Sequence, residues 1–180
     1  MPYVGEIVAA STRRDSNAGG PPACEARLVL AATLSPSYGI YSGFESFENV
    51  PVREGSEEYL DSEKYEAKQR ALDGPLLPLV QRLNEIRRAE PSLQRIDNLR
   101  WLETENDQLV AYAKDDLIVV VNIDPFAPQE GVCVVPVALG YPPAFDAREL
   151  LGGQTFTWRA GRNYVRLGPG KSHIVKVTHP

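Results

Sequence analysis

The feature that most restricts the fold of this 180-residue chain is a change in its pattern near residue 95. From residue 99 onward, short runs of β-branched, aromatic and aliphatic residues alternate with turn residues, as strands of a sheet do. We predict eight strands: Leu99–Leu102, Leu109–Ala113, Leu117–Ile123, Val132–Val135, Arg148–Leu151, Gln154–Trp158, Asn163–Leu167 and Ser172–Thr178. Many short strands at such close spacing favour an antiparallel β-sandwich.

Three turn signals separate some of these runs: Lys114-Asp115-Asp116, Gly152-Gly153 and Gly168-Pro169-Gly170. Gly-Gly and Gly-Pro-Gly between apolar runs predict β-hairpins. The run Val119-Val120-Val121 has no polar position, so it predicts a central strand that is covered on both faces.

Two helices are predicted before residue 95. The segment Ala23–Leu34 is apolar on nearly every side, which indicates a largely buried helix. A second helix has apolar residues at three-and-four spacing from Leu76 to Ile86, and Pro91 ends it. Polar residues and the breakers Gly19-Gly20-Pro21-Pro22 predict little structure over residues 1–20.

Between the two helices, the sequence gives evidence for one strand, Tyr38–Gly43, followed by a long polar loop from Glu45 to Asp73. A single strand cannot satisfy its own backbone hydrogen bonds. This pattern is typical of the end of a repeating α/β fold, and a complete (β/α)8 barrel needs about 250 residues. We therefore expect an α+β fold: the last strand, loop and helices of a (β/α)8 barrel, followed by an antiparallel β-sandwich.

That interpretation also predicts exposed apolar helix faces. Leu76, Leu79, Leu83 and the helix around Leu28–Leu34 would lack the neighbours that a complete barrel provides. Exposed faces of this kind promote association. We expect low stability or self-association as a result.

Composition and charge exclude several classes of function. A net charge of -5 and a pI near 5.1 argue against a nucleic-acid-binding protein. No apolar run approaches the about 20 residues of a membrane-spanning helix, and no signal-peptide pattern is present, so we expect a cytoplasmic protein. Cys24, Cys133, His173 and His179 lack the close spacing of metal ligands, so we expect no metal site, no cofactor and no disulfide framework.

A family resemblance rests on specific runs of residues. The run Leu30–Glu45 resembles the last barrel strand of the α-amylase superfamily, and Glu48–Tyr65 resembles the α-1,4-glucan:maltose-1-phosphate maltosyltransferases within it. The runs Leu83–Arg88, Val121–Pro125 and Asn163–Leu167 are similar to the same family. The resemblance begins near Gly19.

The resemblance implies three segments. Residues 1–18 are an unmatched N-terminal segment, residues 19–94 the incomplete C-terminal end of a TIM-barrel catalytic domain, and residues 95–180 a C-terminal β-sandwich domain. The implied function is the C-terminal part of an enzyme that transfers maltosyl units from maltose 1-phosphate to α-1,4-glucans, within a family that tends to form homodimers.

The resemblance also implies which site residues this chain carries. The family's catalytic carboxylates lie on earlier barrel strands, so we assign no catalytic residue, and whether this chain alone is an enzyme stays open. Lys64 and Tyr65 match the pair that binds the maltosyl sugar, and their side chains suit that role because an ammonium donates hydrogen bonds and a phenol offers a flat apolar surface. The alternative is that both merely lie on a short helix.

Two further readings remain open. The acidic loop residues could supply a catalytic carboxylate pair, but solvated loop charges are more common; they are Glu54, Glu57, Glu58, Asp61 and Glu63. Trp101, Trp158 and Tyr164 could form a platform for sugars or could fill the sandwich core. The alternative function is accordingly a non-catalytic carbohydrate-binding or structural β-sandwich module.

Overall fold

The fold is built around antiparallel strands, as the alternating pattern after residue 95 predicts. The structure, a computed structural model, describes residues 4–48, 50, 52–53, 67, 69 and 73–178, with side chains from residue 19 onward. Within that part of the chain there are two α-helices, α1 (Val4–Leu34) and α2 (Leu77–Ala89), and 3-10 helices at Phe44–Ser46, Pro91–Gln94 and Val137–Leu139. The strands are β1 (Leu99–Thr104), β2 (Leu109–Lys114), β3 (Leu117–Asn122), β4 (Gln129–Val135), β5 (Ala144–Glu149), β6 (Thr155–Arg159), β7 (Gly161–Leu167) and β8 (Ser172–Thr178).

All eight predicted strands are present, and their spatial order is β6-β5-β8-β3-β2-β1-β4-β7. Strand β1 belongs to two ladders, because Leu99–Leu102 pairs with β2 whereas Glu103 and Thr104 pair with β4. The sheet therefore changes partners at β1, and β4 and β7 form a second layer. β4 and β5 begin earlier than predicted, at Gln129 and Ala144.

The turn at Lys114–Asp116 is confirmed, and of the two predicted hairpins one is confirmed and the other is wrong. Asp115, with φ 53°, turns the chain between β2 and β3, and Gly153, with φ 80°, does so between β5 and β6. In contrast, β7 pairs with β4, and β8 pairs with β3 and β5. Gly170 is needed for a different reason, since a Cβ there would lie 2.0 Å from the carbonyl oxygen of Pro22 in α1.

Two apolar cores lie on opposite faces of the central strands. The sandwich core lies between the two layers of sheet and is formed by Leu102, Leu109, Ala111, Ala113, Ile118, Val120, Cys133, Val135, Phe145, Ala147, Trp158, Val165, Leu167, Val175 and Val177. The helix–sheet core joins α1 and α2 to the other face and includes Leu28, Val29, Ala32, Leu76, Leu83, Ile86, Tyr112, Leu117, Val119, Val121 and Ile174. All six residues of β3 are buried, which confirms the prediction of a central strand covered on both faces.

The expectation of exposed helix faces is wrong. Leu28, Leu76 and Leu83 are buried, and Leu79 is partly buried, because the outer face of β2, β3 and β8 covers both helices. Each such side chain contributes about 1.5–3 kcal/mol when it leaves water. The sheet thus supplies the apolar surface that a barrel was expected to supply.

The prediction of little structure over residues 1–20 is also wrong, because α1 begins at Val4. The breakers produce a kink instead, with Gly20 at φ 57° and ψ -150°. Proline fits the first turn of a helix. Pro21 and Pro22 lie directly after the kink, in the first turn of the second half of α1. Neither described helix is long and apolar enough to cross a membrane.

The predicted strand Tyr38–Gly43 is absent. Residues 38–40 form no ladder with any described strand, and the chain then makes a turn and the 3-10 helix Phe44–Ser46. A strand needs a hydrogen-bonding neighbour. The eight described strands pair only with one another, so this segment has no described strand to pair with.

A buried arginine in α2 forms hydrogen bonds with the end of α1. The guanidinium of Arg87 donates hydrogen bonds to the carbonyl oxygens of Ala32, Ser35 (2.9 Å) and Pro36 (2.6 Å). It also lies over the ring of Tyr38, at 5.0 Å from the ring centre. Burial lowers the pKa of this guanidinium from its ordinary value, and the three carbonyls at a helix C-terminus stabilise its charge.

We expect Arg87→Met to lower the free energy of unfolding by about 2–3 kcal/mol, because it leaves buried carbonyl groups without donors. Arg87→Lys should show most of this loss, since one ammonium cannot reproduce the planar fork. Arg88→Met, at the exposed neighbouring position, is the matched control and should stay within about 0.5 kcal/mol of the parent. Urea denaturation followed by circular dichroism measures all three, and equal effects of Arg87→Met and Arg88→Met would contradict this role.

Candidate functional site

The residues with the strongest predicted role, Lys64 and Tyr65, lie outside the described residues, and so do the five acidic residues of the same loop. The structure does describe the two ends of this loop. One end is the turn and 3-10 helix at residues 43–48, and the other is the start of α2 at residues 73–77.

The two ends of the loop meet at Glu45. Its carbonyl oxygen accepts a hydrogen bond from the backbone N–H of Leu76 at 3.1 Å. Gly74 lies against the same carbonyl, and a Cβ on Gly74 would be 2.5 Å from the oxygen. The loop therefore begins and ends at the same place in the structure. We call this place the loop base (residues 43–48 and 73–76).

The carboxylate of Glu45 accepts a hydrogen bond from within the loop base. The side chain is 9% exposed, and its Oε2 accepts a hydrogen bond from the backbone N–H of Gly43 at 3.0 Å. The N–H of Glu48 donates to the carbonyl oxygen of Gly43, also at 3.0 Å. Tyr38 adds a link to α2, because its hydroxyl donates to Oδ1 of Asn84 at 2.8 Å.

The other buried carboxylates have structural partners as well. Glu90 forms an ion pair with Lys176, which ties the end of α2 to β8. Glu149 accepts hydrogen bonds from the backbone N–H groups of Leu151 (3.0 Å) and Gly152 at the β5–β6 turn. Among the described residues, no group of three His, Cys, Asp or Glu side chains could hold a metal ion.

Burial shifts the pKa of several other titratable groups away from its ordinary value. Cys24 and Cys133 are both buried and unpaired, and burial raises the pKa of the Cys133 thiol to about 12. Burial, with the nearby charge of Arg87 as a second cause, lowers the pKa of Lys114, whose ammonium donates to the carbonyl oxygen of Arg95 at 2.6 Å. Burial likewise lowers the pKa of His173, which packs against the ring of Phe156. A thiol with a raised pKa is a poor nucleophile, so the cysteines have a packing role.

The three aromatic residues that could bind sugar are not brought together. Trp158 is 6% exposed and belongs to the sandwich core, whereas Trp101 and Tyr164 are 63% and 64% exposed. Trp101 packs edge-on against Tyr112 with ring centres 5.5 Å apart, on the face of the sheet that α1 covers nearby. Tyr164 lies on the outer face of β7, in the second layer of the sheet.

Tyr164 has charged neighbours that the sequence analysis did not identify. Register places Val132 opposite Tyr164, Glu130 opposite Arg166 and Val134 opposite Arg162 on this surface. We call these six residues the β4–β7 face. The alternation of buried and exposed residues in β7 was visible in the sequence, but the pairing of β7 with β4 was not.

Comparison with known proteins identifies relatives that match about nine tenths of the chain. The family model described as "GLGE, C-terminal" matches residues 101–177. The α-1,4-glucan:maltose-1-phosphate maltosyltransferase 2 of Streptomyces coelicolor is 49% identical over 178 residues, which cover 90% of this chain and 26% of that protein. The corresponding enzyme of Mycolicibacterium smegmatis is 44% identical over 176 residues, which cover 88% of this chain and 25% of that protein. The chain thus spans about a quarter of the length of these curated relatives.

The solved structure of an α-amylase from Malbranchea cinnamomea has the same fold over most of the chain. It matches with a TM-score of 0.63 over 92% of this chain and 34% of that chain, at 17% sequence identity. A similarity at this identity concerns the fold alone. The eight-stranded antiparallel sheet with its two helices is therefore an arrangement that also occurs within an α-amylase.

We expect Gly74→Ala to disrupt the loop base, because the new Cβ would overlap the carbonyl oxygen of Glu45. Overpacking against backbone should cost about 1–3 kcal/mol of unfolding free energy. Gly39→Ala is the matched control, since a Cβ at Gly39 meets nothing within 4 Å. Urea denaturation compares the two variants, and a Gly74→Ala protein as stable as Gly39→Ala would show that the close approach is unimportant.

Proposed function

Because the chain is a homologue of the α-1,4-glucan:maltose-1-phosphate maltosyltransferases and carries the C-terminal domain of that family, we propose that it serves as the C-terminal part of such a transferase. The complete enzyme would move maltosyl units from maltose 1-phosphate to α-1,4-glucan. The observation that carries this proposal is 49% identity across 90% of the chain, which extends beyond the matched domain into the helices.

We also propose that residues 19–94, which comprise the second half of α1, the segment after it, the loop and α2, are the last units of a (β/α)8 barrel. The unpaired segment at residues 38–40 supports this, because neighbouring parallel strands would satisfy its backbone groups. Loops that follow barrel strands at their C-terminal ends form the sites of barrel enzymes. The loop base would then hold the loop at the rim of the active site.

Within that loop, Lys64 and Tyr65 are proposed to bind the maltosyl group. The ammonium of Lys64 would donate hydrogen bonds to sugar hydroxyls, and the ring of Tyr65 would pack against an apolar sugar face. The proposal includes a cytoplasmic location and a homodimer, both of which rest on the sequence analysis alone.

We propose no catalytic residue in this chain. Retaining glycoside chemistry needs two carboxyl groups about 5–5.5 Å apart on a rigid scaffold. The buried carboxylates Glu45, Glu90 and Glu149 instead accept backbone hydrogen bonds or pair with Lys176. The chain alone is therefore expected to leave maltose 1-phosphate unchanged.

A hybrid enzyme tests the proposal. Replacing the aligned C-terminal quarter of the Streptomyces coelicolor relative with this chain, from Gly19 onward, should give an enzyme that releases phosphate from maltose 1-phosphate when glucan is present. The purified chain alone should release none. An inactive but folded hybrid, or phosphate release by the chain alone, would refute the proposal.

Lys64→Ala and Tyr65→Ala in the hybrid test the binding role. Each should raise the KM for maltose 1-phosphate by about tenfold, since the loss of one charged or stacking contact is worth about 1.4 kcal/mol. Lys68→Ala is the control of the same residue type in the same loop and should leave the KM unchanged. Equal effects of Lys64→Ala and Lys68→Ala would show that charge in the loop, not a specific contact, matters.

A further inference from the structure

The β4–β7 face is the outer surface of the β4–β7 layer, and the helix–sheet core lies on the other face of the central strands. The sandwich core separates the β4–β7 layer from the strands that α1 and α2 cover. An upstream barrel that continues from α1 and α2 would therefore contact the helix side. The β4–β7 face would stay accessible in the complete enzyme.

An aromatic ring lies at the centre of this face. Tyr164 is 64% exposed, and the half-buried side chain of Val132 lies beside it on β4. The phenol hydroxyl donates a hydrogen bond to Oε2 of Glu130 at 2.7 Å, which fixes the orientation of the ring. The result is a flat apolar surface with a polar rim.

Two arginine–glutamate pairs border the ring. Arg162 forms a two-point contact with Glu105, in which Nη2 lies 2.7 Å from Oε2. Nε of Arg166 lies 3.7 Å from Oε2 of Glu130. A guanidinium has five donors and a carboxylate about four acceptor positions, so each pair retains hydrogen-bonding capacity toward a ligand.

The charges of this surface favour a neutral ligand. Glu103 lies opposite Val134 at the edge of the same surface, so two arginines meet three glutamates there. An anion such as a phosphate or a nucleic acid would meet no excess of positive charge. A flat ring flanked by paired donors and acceptors suits a sugar, which has apolar ring faces and neighbouring hydroxyl groups.

We propose that the β4–β7 face binds α-1,4-glucan chains at a site separate from catalysis. The choice of this sugar polymer rests on the proposed function, because the relatives' names specify α-1,4-glucan. Such a surface would keep the polymer near the enzyme between transfers. The binding site itself lies entirely within this chain.

Titration of the full, 15N-labelled chain with maltoheptaose tests the proposal. Amide shifts should change and saturate in Glu130–Val134 and Arg162–Arg166. Tyr164→Leu should weaken the affinity at least about tenfold by removing the ring. Tyr164→Phe keeps the ring and should stay within about threefold of the parent. Trp101→Leu is the matched control, since Trp101 is equally exposed but lies outside this face, and it should bind as the parent does.

Several outcomes would overturn the proposal: no shift changes at millimolar maltoheptaose, equal binding of a β-1,4-linked oligosaccharide, or equal loss in Trp101→Leu. Self-association that Tyr164→Leu abolishes, without any effect of sugar, would identify a second copy of the chain as the occupant and would also overturn it. An active hybrid enzyme whose C-terminal chain binds no maltoheptaose would refute this inference alone. Binding by the chain with an inactive hybrid would support it and remove the proposed transferase role.

Discussion

The rest of the structure depends on a central sheet that is apolar on both faces. In β3, Ile118 and Val120 enter the sandwich core, whereas Val119 and Val121 enter the helix–sheet core. A strand buried in this way cannot be stable with only one layer beside it, since the other face would stay in contact with water. The second layer of sheet covers one face, and α1 and α2 cover the other.

Polar contacts at the edges of the helix–sheet core set the position of α2. Arg87 binds the carbonyl groups at the end of α1, Arg82 donates to the carbonyl oxygen of Leu150 at 2.8 Å, and Glu90 pairs with Lys176 of β8. Apolar packing alone is not directional, whereas these hydrogen bonds specify one orientation. Because the loop base joins the start of α2 to Glu45, the same contacts hold the ends of the loop that carries Lys64 and Tyr65.

Much of the secondary structure could be predicted, and the errors have identifiable causes. The strands after residue 95 and the buried helix at Ala23–Leu34 were predictable because the apolar period and the turn residues are local signals. The strand at Tyr38–Gly43 has the right residue types, but a strand also needs a neighbour, and the sequence does not show whether one is present. The Gly168–Gly170 segment reads as a hairpin turn, yet Gly170 is required by its contact with Pro22. For the candidate sites, exposed Tyr164 was recognisable as a residue type, but its hydrogen-bond partner Glu130 comes from a different strand, β4.

By itself, the sequence determined the eight strands after residue 95, the helical segments around Ala23–Leu34 and Leu76–Ile86, which strand is central, and which family the chain resembles, because each is encoded in short stretches of neighbouring residues. Only the tertiary structure decided that β7 pairs with β4, that the sheet covers the apolar helix faces, and that Tyr164 and Glu130 share one surface. These outcomes depend on contacts between residues far apart in the chain. Several pairings of similar apolar strands satisfy the same local pattern, and the packing of all the layers together selects one of them.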